Sequence, residues 1–180
     1  MITITREKLN EAKYFLECMK EKQSDRDPFI YNLSAFLSAA RSVTLFMQKE
    51  FKHVSGFDNW YASKQASMKS DKNMELLNEK RTITVHEQPV RPRTHIYKSL
   101  SEQLYISESI LAIITNANGT VKKIKGKPTP TPPATTKKNE KTKWQWYFDE
   151  IPEKDVIAIC VEHITKLENL VAECEKKFST

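Results

Sequence analysis

One stretch decides the fold of this chain: residues 27–51 read DPFIYNLSAFLSAARSVTLFMQKEF. Apolar side chains recur in it at helical spacing and form one continuous stripe, which comprises Leu33, Phe36, Leu37, Ala40, Val43, Met47 and Phe51. Asp27 and Pro28 have the pattern of a cap followed by proline at the first helical position, where the missing N–H costs nothing. The stretch therefore predicts a long helix that ends near Gly56.

Further helical segments flank this helix. Residues 5–22 have apolar side chains at helical spacing, with Thr5 as the expected cap, and a third helix is predicted from Phe57 towards Met68. Asp71 is expected to cap a continuation into Arg81, which Pro89 and Pro92 stop. Residues 153–178 complete the set with a long apolar face.

Residues 101–150 differ from the rest of the chain. Apolar side chains roughly alternate over 103–115, turn residues follow, and 120–124 and 144–148 can form further short strands. Alternation places Trp144, Trp146 and Phe148 on one face, either to pack the strands onto the helices or to stack on nucleic acid bases. We expect a mainly α protein, a single domain over 1–180: an up-down helical bundle of four to five helices with a small antiparallel β insertion before the last helix.

Charge and composition limit the classes of function. The net charge is +6, and residues 120–143 alone hold eight lysines against one acidic residue. This Pro- and Lys-rich loop is either a solvated surface or a contact to nucleic acid backbone. No apolar run reaches membrane length, and we see no secretion signal. Three widely spaced cysteines fit a reducing compartment, so we expect a cytoplasmic protein with no membrane partner.

The residues that point most clearly to chemistry are Arg81 and His86, in the sequence RTITVH at the end of the fourth helix. Arginine is a permanent cation that suits phosphate, and histidine can move a proton near neutral pH. Five residues turn a helix through about 140°, so the two side chains converge only if the last turn unwinds or a second protomer completes the site. Helix capping by Arg81 and a dipole interaction of His86 are the structural alternative.

This pattern resembles the HEPN family (higher eukaryote and prokaryote nucleotide-binding domains). The resemblance rests on Arg81 to His86 and on the helix over residues 29–43 that precedes it, and it covers about residues 5–90 and the last helix. It implies a metal-independent endoribonuclease, a toxin or phage-defence effector, in which a homodimer brings both copies of Arg81 and His86 to one cleft. His86 would move protons and Arg81 would stabilise the phosphate. It also implies an RNA partner and possibly an antitoxin protein.

Other functions and residues remain open at this point. A non-catalytic nucleic-acid or nucleotide-binding domain and a helical protein-interaction module are the two alternatives to the nuclease. Further phosphate contacts are expected at Arg41, Thr82, Arg91 and Arg93. Cys160 and His163 have a spacing that a metal could use, but core packing of the cysteine is the better explanation. No motif indicates a metal or a cofactor.

Overall fold

The computed structural model describes residues 2–101, 111–115, 117–125 and 139–179. The elements in these residues are α1 (Ile4–Glu21), α2 (Arg26–Phe51), α3 (Phe57–Lys69), α4 (Lys72–His86), β1 (Arg93–Ser101), β2 (Leu111–Thr115), β3 (Val121–Lys125), β4 (Asn139–Tyr147) and α5 (Val156–Phe178). The predicted fold class is confirmed: the chain is mainly helical, with a small antiparallel two-stranded sheet before the last helix. None of the described helices is long and apolar enough to cross a membrane.

The chain divides into two compact units. The first comprises Met1–Ile96 with Trp144–Thr180, and the second comprises Tyr97–Lys143. The first unit contains all five described helices, and α1 packs mainly against α2 and α5. The apolar stripe predicted in α2 forms the centre of its core, in which fully buried side chains include Leu9, Met19, Phe29, Phe36, Val43, Phe57, Ile159 and Val171.

Capping residues set the beginnings of α1 and α2, and two of the predictions are wrong there. Thr3, not Thr5, caps α1, because its side chain accepts a hydrogen bond from the backbone N–H of Arg6. Thr5 is buried instead, and its hydroxyl donates to Glu50 over 2.6 Å. α2 begins at Arg26, so Asp27 lies inside its first turn and does not cap it.

Aspartate side chains cap the first turns of α4 and α5. Asp71 caps α4 as predicted, and its carboxylate accepts from the backbone N–H groups of Asn73 and Met74 at 3.0 and 3.1 Å. α4 then continues to His86, further than the predicted end at Arg81. Asp155 caps α5 in the same way, by accepting from the N–H groups of the first turn.

The strands are short and form two separate pairs. β2 and β3 make an antiparallel hairpin whose register runs from Leu111 opposite Lys125 to Thr115 opposite Val121. Gly119 has a φ of +77° in the connection, a backbone conformation that favours glycine. β1 pairs with β4, and β1 was not predicted. Of the strand predicted over 103–115, residues 103–110 lie outside the described residues, as do residues 126–138 of the Pro- and Lys-rich loop.

The aromatic segment at the end of β4 packs into the helical core. This confirms the prediction that these side chains attach the strand to the helices. Trp146 and Phe148 are buried, and Trp144 is partly buried against the same core. The indole N–H of Trp146 donates to the backbone carbonyl of Gln23 over 3.0 Å. A ring held in this way is not available to stack on a base.

Candidate functional site

A cavity of about 440 Å³ lies among α2, α3, α4 and α5 in the helical unit. Its apolar lining comes from all four helices and consists of Leu37, Ala40, Met68, Met74, Leu77 and Leu167. Several of these side chains belong to the apolar faces that build the core. The cavity is therefore an open cleft beside the core, and exposed polar residues, among them Gln65, Lys69 and Asn78, form its outer part.

Three cationic side chains and one acidic side chain line the same cavity. Arg41 comes from α2, Lys69 from the end of α3 and Arg81 from α4, whereas Glu75 on α4 is the acidic group. The formal charge of the lining is therefore positive. A positively charged lining beside an apolar wall attracts anions in preference to cations.

Arg41 is held in place by a polar chain along α2. Its Nη1 donates to the hydroxyl of Thr44 over 2.8 Å, and Thr44 is buried. One turn further on, the side-chain amide of Gln48 donates to the hydroxyl of Tyr61, which also lines the cavity. Burial raises the pKa of Tyr61, so the phenol keeps its proton at neutral pH. These bonds fix the position of Arg41 without neutralising its charge.

Arg81 has a buried N–H donor without an acceptor among the described residues. The arginine ion pairs in the described part of the chain involve Arg6, Arg26 and Arg93. Neither Arg41 nor Arg81 has a carboxylate partner among those residues. The Nε of Arg81 is buried and has no hydrogen-bond acceptor there. A buried donor without a partner carries a desolvation cost, and in native proteins it calls for a specific explanation.

His163, on α5, also lines the cavity. Its Nδ1 is buried and has no hydrogen-bond partner among the described residues. Burial, followed by the nearby charge of Lys166, lowers the pKa of His163 to about 4. The imidazole is therefore uncharged at neutral pH. The ring of Phe36 contacts it edge to face, with 6.4 Å between the ring centroids.

A polar network at one end of α4 fixes this helix against α5. Lys166 pairs with both Asp71 and Glu162, and the side-chain amide of Asn73 donates to Glu162 over 2.7 Å. Because Asp71 also caps α4, the network ties the beginning of that helix to α5. It thereby sets the separation of the two helices that carry Arg81 and His163.

The structure does not bring Arg81 and His86 together within one chain. α4 stays helical to His86, so the two side chains point about 140° apart around the helix axis. His86 is exposed, and Thr82 is exposed with its hydroxyl donating to the carbonyl of Asn78. The unwinding of the last turn that would allow convergence does not occur.

The remaining predicted phosphate contacts separate into two groups. Arg41 lines the cavity together with Arg81. Arg91 is exposed in the connection between α4 and β1, and Arg93 is exposed and pairs with Asp149 over 2.8 Å. Neither Arg91 nor Arg93 is part of the cavity lining. Within the described ranges, no group of three potential metal ligands lies close enough to hold a metal ion.

Comparison with known proteins identifies the family. The family model described as bacteriophage lambda protein ea47 matches residues 2–178. The chain belongs to the phage lambda Ea47 family. Protein ea47 of Escherichia phage lambda is 29% identical to this Ea47-family chain over 110 residues. That alignment covers 61% of the chain but 27% of the phage lambda protein, so the chain spans about a quarter of the length of this relative. No solved structure matches.

Membership of the Ea47 family overturns the HEPN resemblance. The assignment covers almost the whole chain, whereas the HEPN resemblance rested on Arg81 and His86 at a common spacing and on the helix over residues 29–43. The predicted endoribonuclease of HEPN type and its toxin or phage-defence role are wrong with it, and an antitoxin partner has no remaining basis. The family match does not test the roles of Arg81 and His86, which stay predictions. The homodimer and the RNA partner concern other molecules and stay predictions.

Sequence patterns did not single out His163 or Lys69 as residues of a binding site. The spacing of His163 indicates only a pair with Cys160, which is fully buried in the core, where burial raises the pKa of its thiol. Lys69 ends α3 as one of many surface-type lysines. The available signal was the position of His163 between the buried residues Cys160 and Leu167 of α5, which indicates a partly buried polar side chain.

Proposed function

We propose that the helical unit is a ligand-binding domain whose cavity holds a small organic anion with an apolar or aromatic body. One observation supports this most strongly: Arg41 and Arg81, from different helices, line one apolar cavity, and neither has a carboxylate partner among the described residues.

The charged part of the ligand follows from the chemistry of arginine. A guanidinium presents several N–H donors in a planar fork, which matches the oxygens of a phosphate, sulfonate or carboxylate. Arg41 donates one bond to Thr44, and its other donors remain for a ligand. Arg81 makes no ion pair in the described ranges, and its Nε lacks an acceptor. An anion bound between them would be paired without displacing an existing partner.

The uncharged part of the ligand follows from the lining and the size of the cavity. A volume of about 440 Å³ falls within the range of roughly 300–1,000 Å³ that small-molecule sites occupy. The methionine side chains of Met68 and Met74 adapt to irregular apolar shapes. An inorganic anion would leave most of this apolar surface uncovered. A ligand that combines an anionic group with an apolar body would cover it.

Calorimetric titration of the full chain with three probes tests the proposal. Naphthyl phosphate carries both features, naphthol carries the apolar body alone, and inorganic phosphate carries the charge alone. We expect naphthyl phosphate to bind at least about tenfold more tightly than either fragment, a difference of about 1.4 kcal/mol. Equal affinity for naphthyl phosphate and inorganic phosphate would contradict the amphipathic site. Equal affinity for naphthyl phosphate and naphthol would contradict the role of the arginines.

We also propose that the protein works in the cytoplasm. All three cysteines are free thiols, and two of them, Cys160 and Cys174, are buried without a disulfide partner. Free buried thiols fit a reducing compartment. Localisation of a tagged chain in fractionated cells would test this, and recovery from an extracytoplasmic fraction would contradict it.

A further inference from the structure

His163 differs from the other polar groups of the cavity because it is uncharged and makes no hydrogen bond within the described ranges. Three buried side-chain atoms in those ranges lack partners, and two of them, Nε of Arg81 and Nδ1 of His163, belong to residues that line this one cavity. Unpaired buried polar atoms are rare in native proteins once bound water is counted, so two of them on residues that line one cavity mark these residues for contact with a bound molecule.

We propose that His163 is a specificity residue of the cavity: its imidazole hydrogen-bonds to an uncharged polar group of the ligand, a hydroxyl or an amide. The inference rests on the proposed function and extends it, because it assigns the ligand a second polar group besides its anion. The arginines of α2 and α4 bind the anion, and the histidine of α5 distinguishes among anions by what else they carry.

The charge state of His163 decides which group it suits. With a pKa near 4, the ring at neutral pH has one N–H donor and one nitrogen that accepts. Such a ring offers an anion no full positive charge, but it can both donate to and accept from a hydroxyl or an amide. Burial is the main reason that the imidazole stays uncharged, and the charge of Lys166, which pairs with Asp71 and Glu162, acts in the same direction.

The surroundings of His163 also fix the direction of its hydrogen bonds. Phe36 holds the ring edge to face, and Phe36 is itself fully buried in the core. Leu167, one turn further along α5, is buried beside it and lines the cavity. A ring fixed between such neighbours cannot turn freely to find another partner. The affinity of the protein for a ligand should therefore depend on the position of the hydroxyl on that ligand.

The test compares naphthyl phosphate with a set of hydroxynaphthyl phosphates that differ in the ring position of the hydroxyl. With the wild-type chain, we expect at least one isomer to bind roughly fivefold to tenfold more tightly than naphthyl phosphate, as one added hydrogen bond would give. In His163→Phe, which keeps a ring against Phe36 but no hydrogen-bonding group, that preference should disappear while naphthyl phosphate still binds. In His163→Gln, part of the preference should remain.

The outcomes separate the two proposals. If naphthyl phosphate does not bind to the wild-type chain, the proposed function fails and this inference fails with it. If naphthyl phosphate binds but no isomer is preferred, or if His163→Phe retains the preference, only the inference is overturned. Either of these last two results would mean that the imidazole hydrogen-bonds to water and not to the ligand.

A spectroscopic measurement keeps the test independent of whether the variants fold. In the wild-type chain labelled at histidine, the ring resonances of His163 should shift when the preferred isomer binds and change much less with naphthyl phosphate. His86, which is exposed and not part of the cavity lining, is the internal control. Equal shifts of the His163 resonances with both ligands would overturn the inference.

Discussion

Trp146 stacks on Phe29, with 4.4 Å between the ring centroids and 10° between the ring planes. Trp146 lies in β4 and Phe29 in the first turns of α2, and both side chains are buried. The pair therefore joins two elements that are more than a hundred residues apart in the sequence. The indole N–H is also paired, with the carbonyl of Gln23, so the ring is buried without an unsatisfied donor.

This relationship predicts a large loss of stability in Trp146→Ala. Removal of the ring leaves a cavity against Phe29 and an unpaired carbonyl at Gln23, and aromatic-to-alanine changes in cores cost about 3–5 kcal/mol. Urea unfolding followed by circular dichroism would measure this loss. Trp144→Ala is the matched control, since Trp144 is only partly buried and should cost less. A smaller loss for Trp146→Ala than for Trp144→Ala would contradict the packing.

Asp71 should contribute to stability through the beginning of α4. Asp71→Ala removes the acceptor for two backbone N–H groups and a partner of Lys166, so we expect a loss of about 1–2 kcal/mol in the free energy of unfolding. Asp58→Ala provides the comparison, because Asp58 is exposed in the first turn of α3 and that helix has no side-chain cap bond. Equal losses of unfolding free energy in Asp71→Ala and Asp58→Ala would show that the cap of α4 does not stabilise the protein.

Glu173 should make stability depend on pH in the acid range. The hydrogen bond from Lys64, and next that from Trp60, lower the pKa of Glu173 to about 2. A carboxyl with a lowered pKa in the folded state stabilises the protein above its ordinary pKa, and this stabilisation is lost as the pH falls towards 2. Because the side chain is partly exposed, we expect less than about 1 kcal/mol.

Glu173→Gln tests this dependence. The amide can still accept from Trp60 but carries no charge for Lys64, so the variant should be less stable than wild type at neutral pH. Denaturant midpoints measured between pH 7 and pH 2 should converge at the acid end. Glu79→Gln, on the exposed side of α4, controls for general effects of charge. A constant difference at every pH would contradict the assigned hydrogen bond.

The three cysteines should differ in reactivity. Cys160 and Cys174 are buried, and burial raises the pKa of both thiols, that of Cys174 to about 12. Cys18 is partly exposed. Because the thiolate is the reactive form, a disulfide reagent at pH 8 should titrate one thiol quickly in the native chain and all three in urea. Cys18→Ser should remove the fast reaction. Rapid native reaction of Cys160 would contradict its burial.

Helices could be predicted because their apolar stripes are local properties of the sequence. The stripe of α2 and the cap at Asp71 are confirmed for this reason. β1 could not be read in the same way: its partner β4 begins at Asn139, and the described side chains of β1 are mostly exposed, so no apolar alternation marks the strand.

The candidate site could be predicted only in part. The sequence singled out Arg41 and Arg81 as phosphate contacts, and both line the cavity. It did not reveal that His163 joins them, because that depends on how α5 packs against α2 and α4, which no local spacing encodes. Within one chain, the pairing of Arg81 with His86 required the last turn of α4 to unwind, and that turn remains helical.

The most direct test of the account is the affinity of naphthyl phosphate for the wild-type chain, Arg81→Met and Arg26→Met, measured by calorimetry in one buffer. Methionine keeps much of the apolar stem of arginine and removes the charge. Arg26 is the control, because it is exposed, pairs with Asp27 and does not line the cavity. We predict that Arg81→Met weakens binding by roughly tenfold to a hundredfold, as loss of a charge-assisted hydrogen bond requires, while Arg26→Met binds like wild type. Unchanged affinity in Arg81→Met, or an equal loss in both variants, would contradict the anion site.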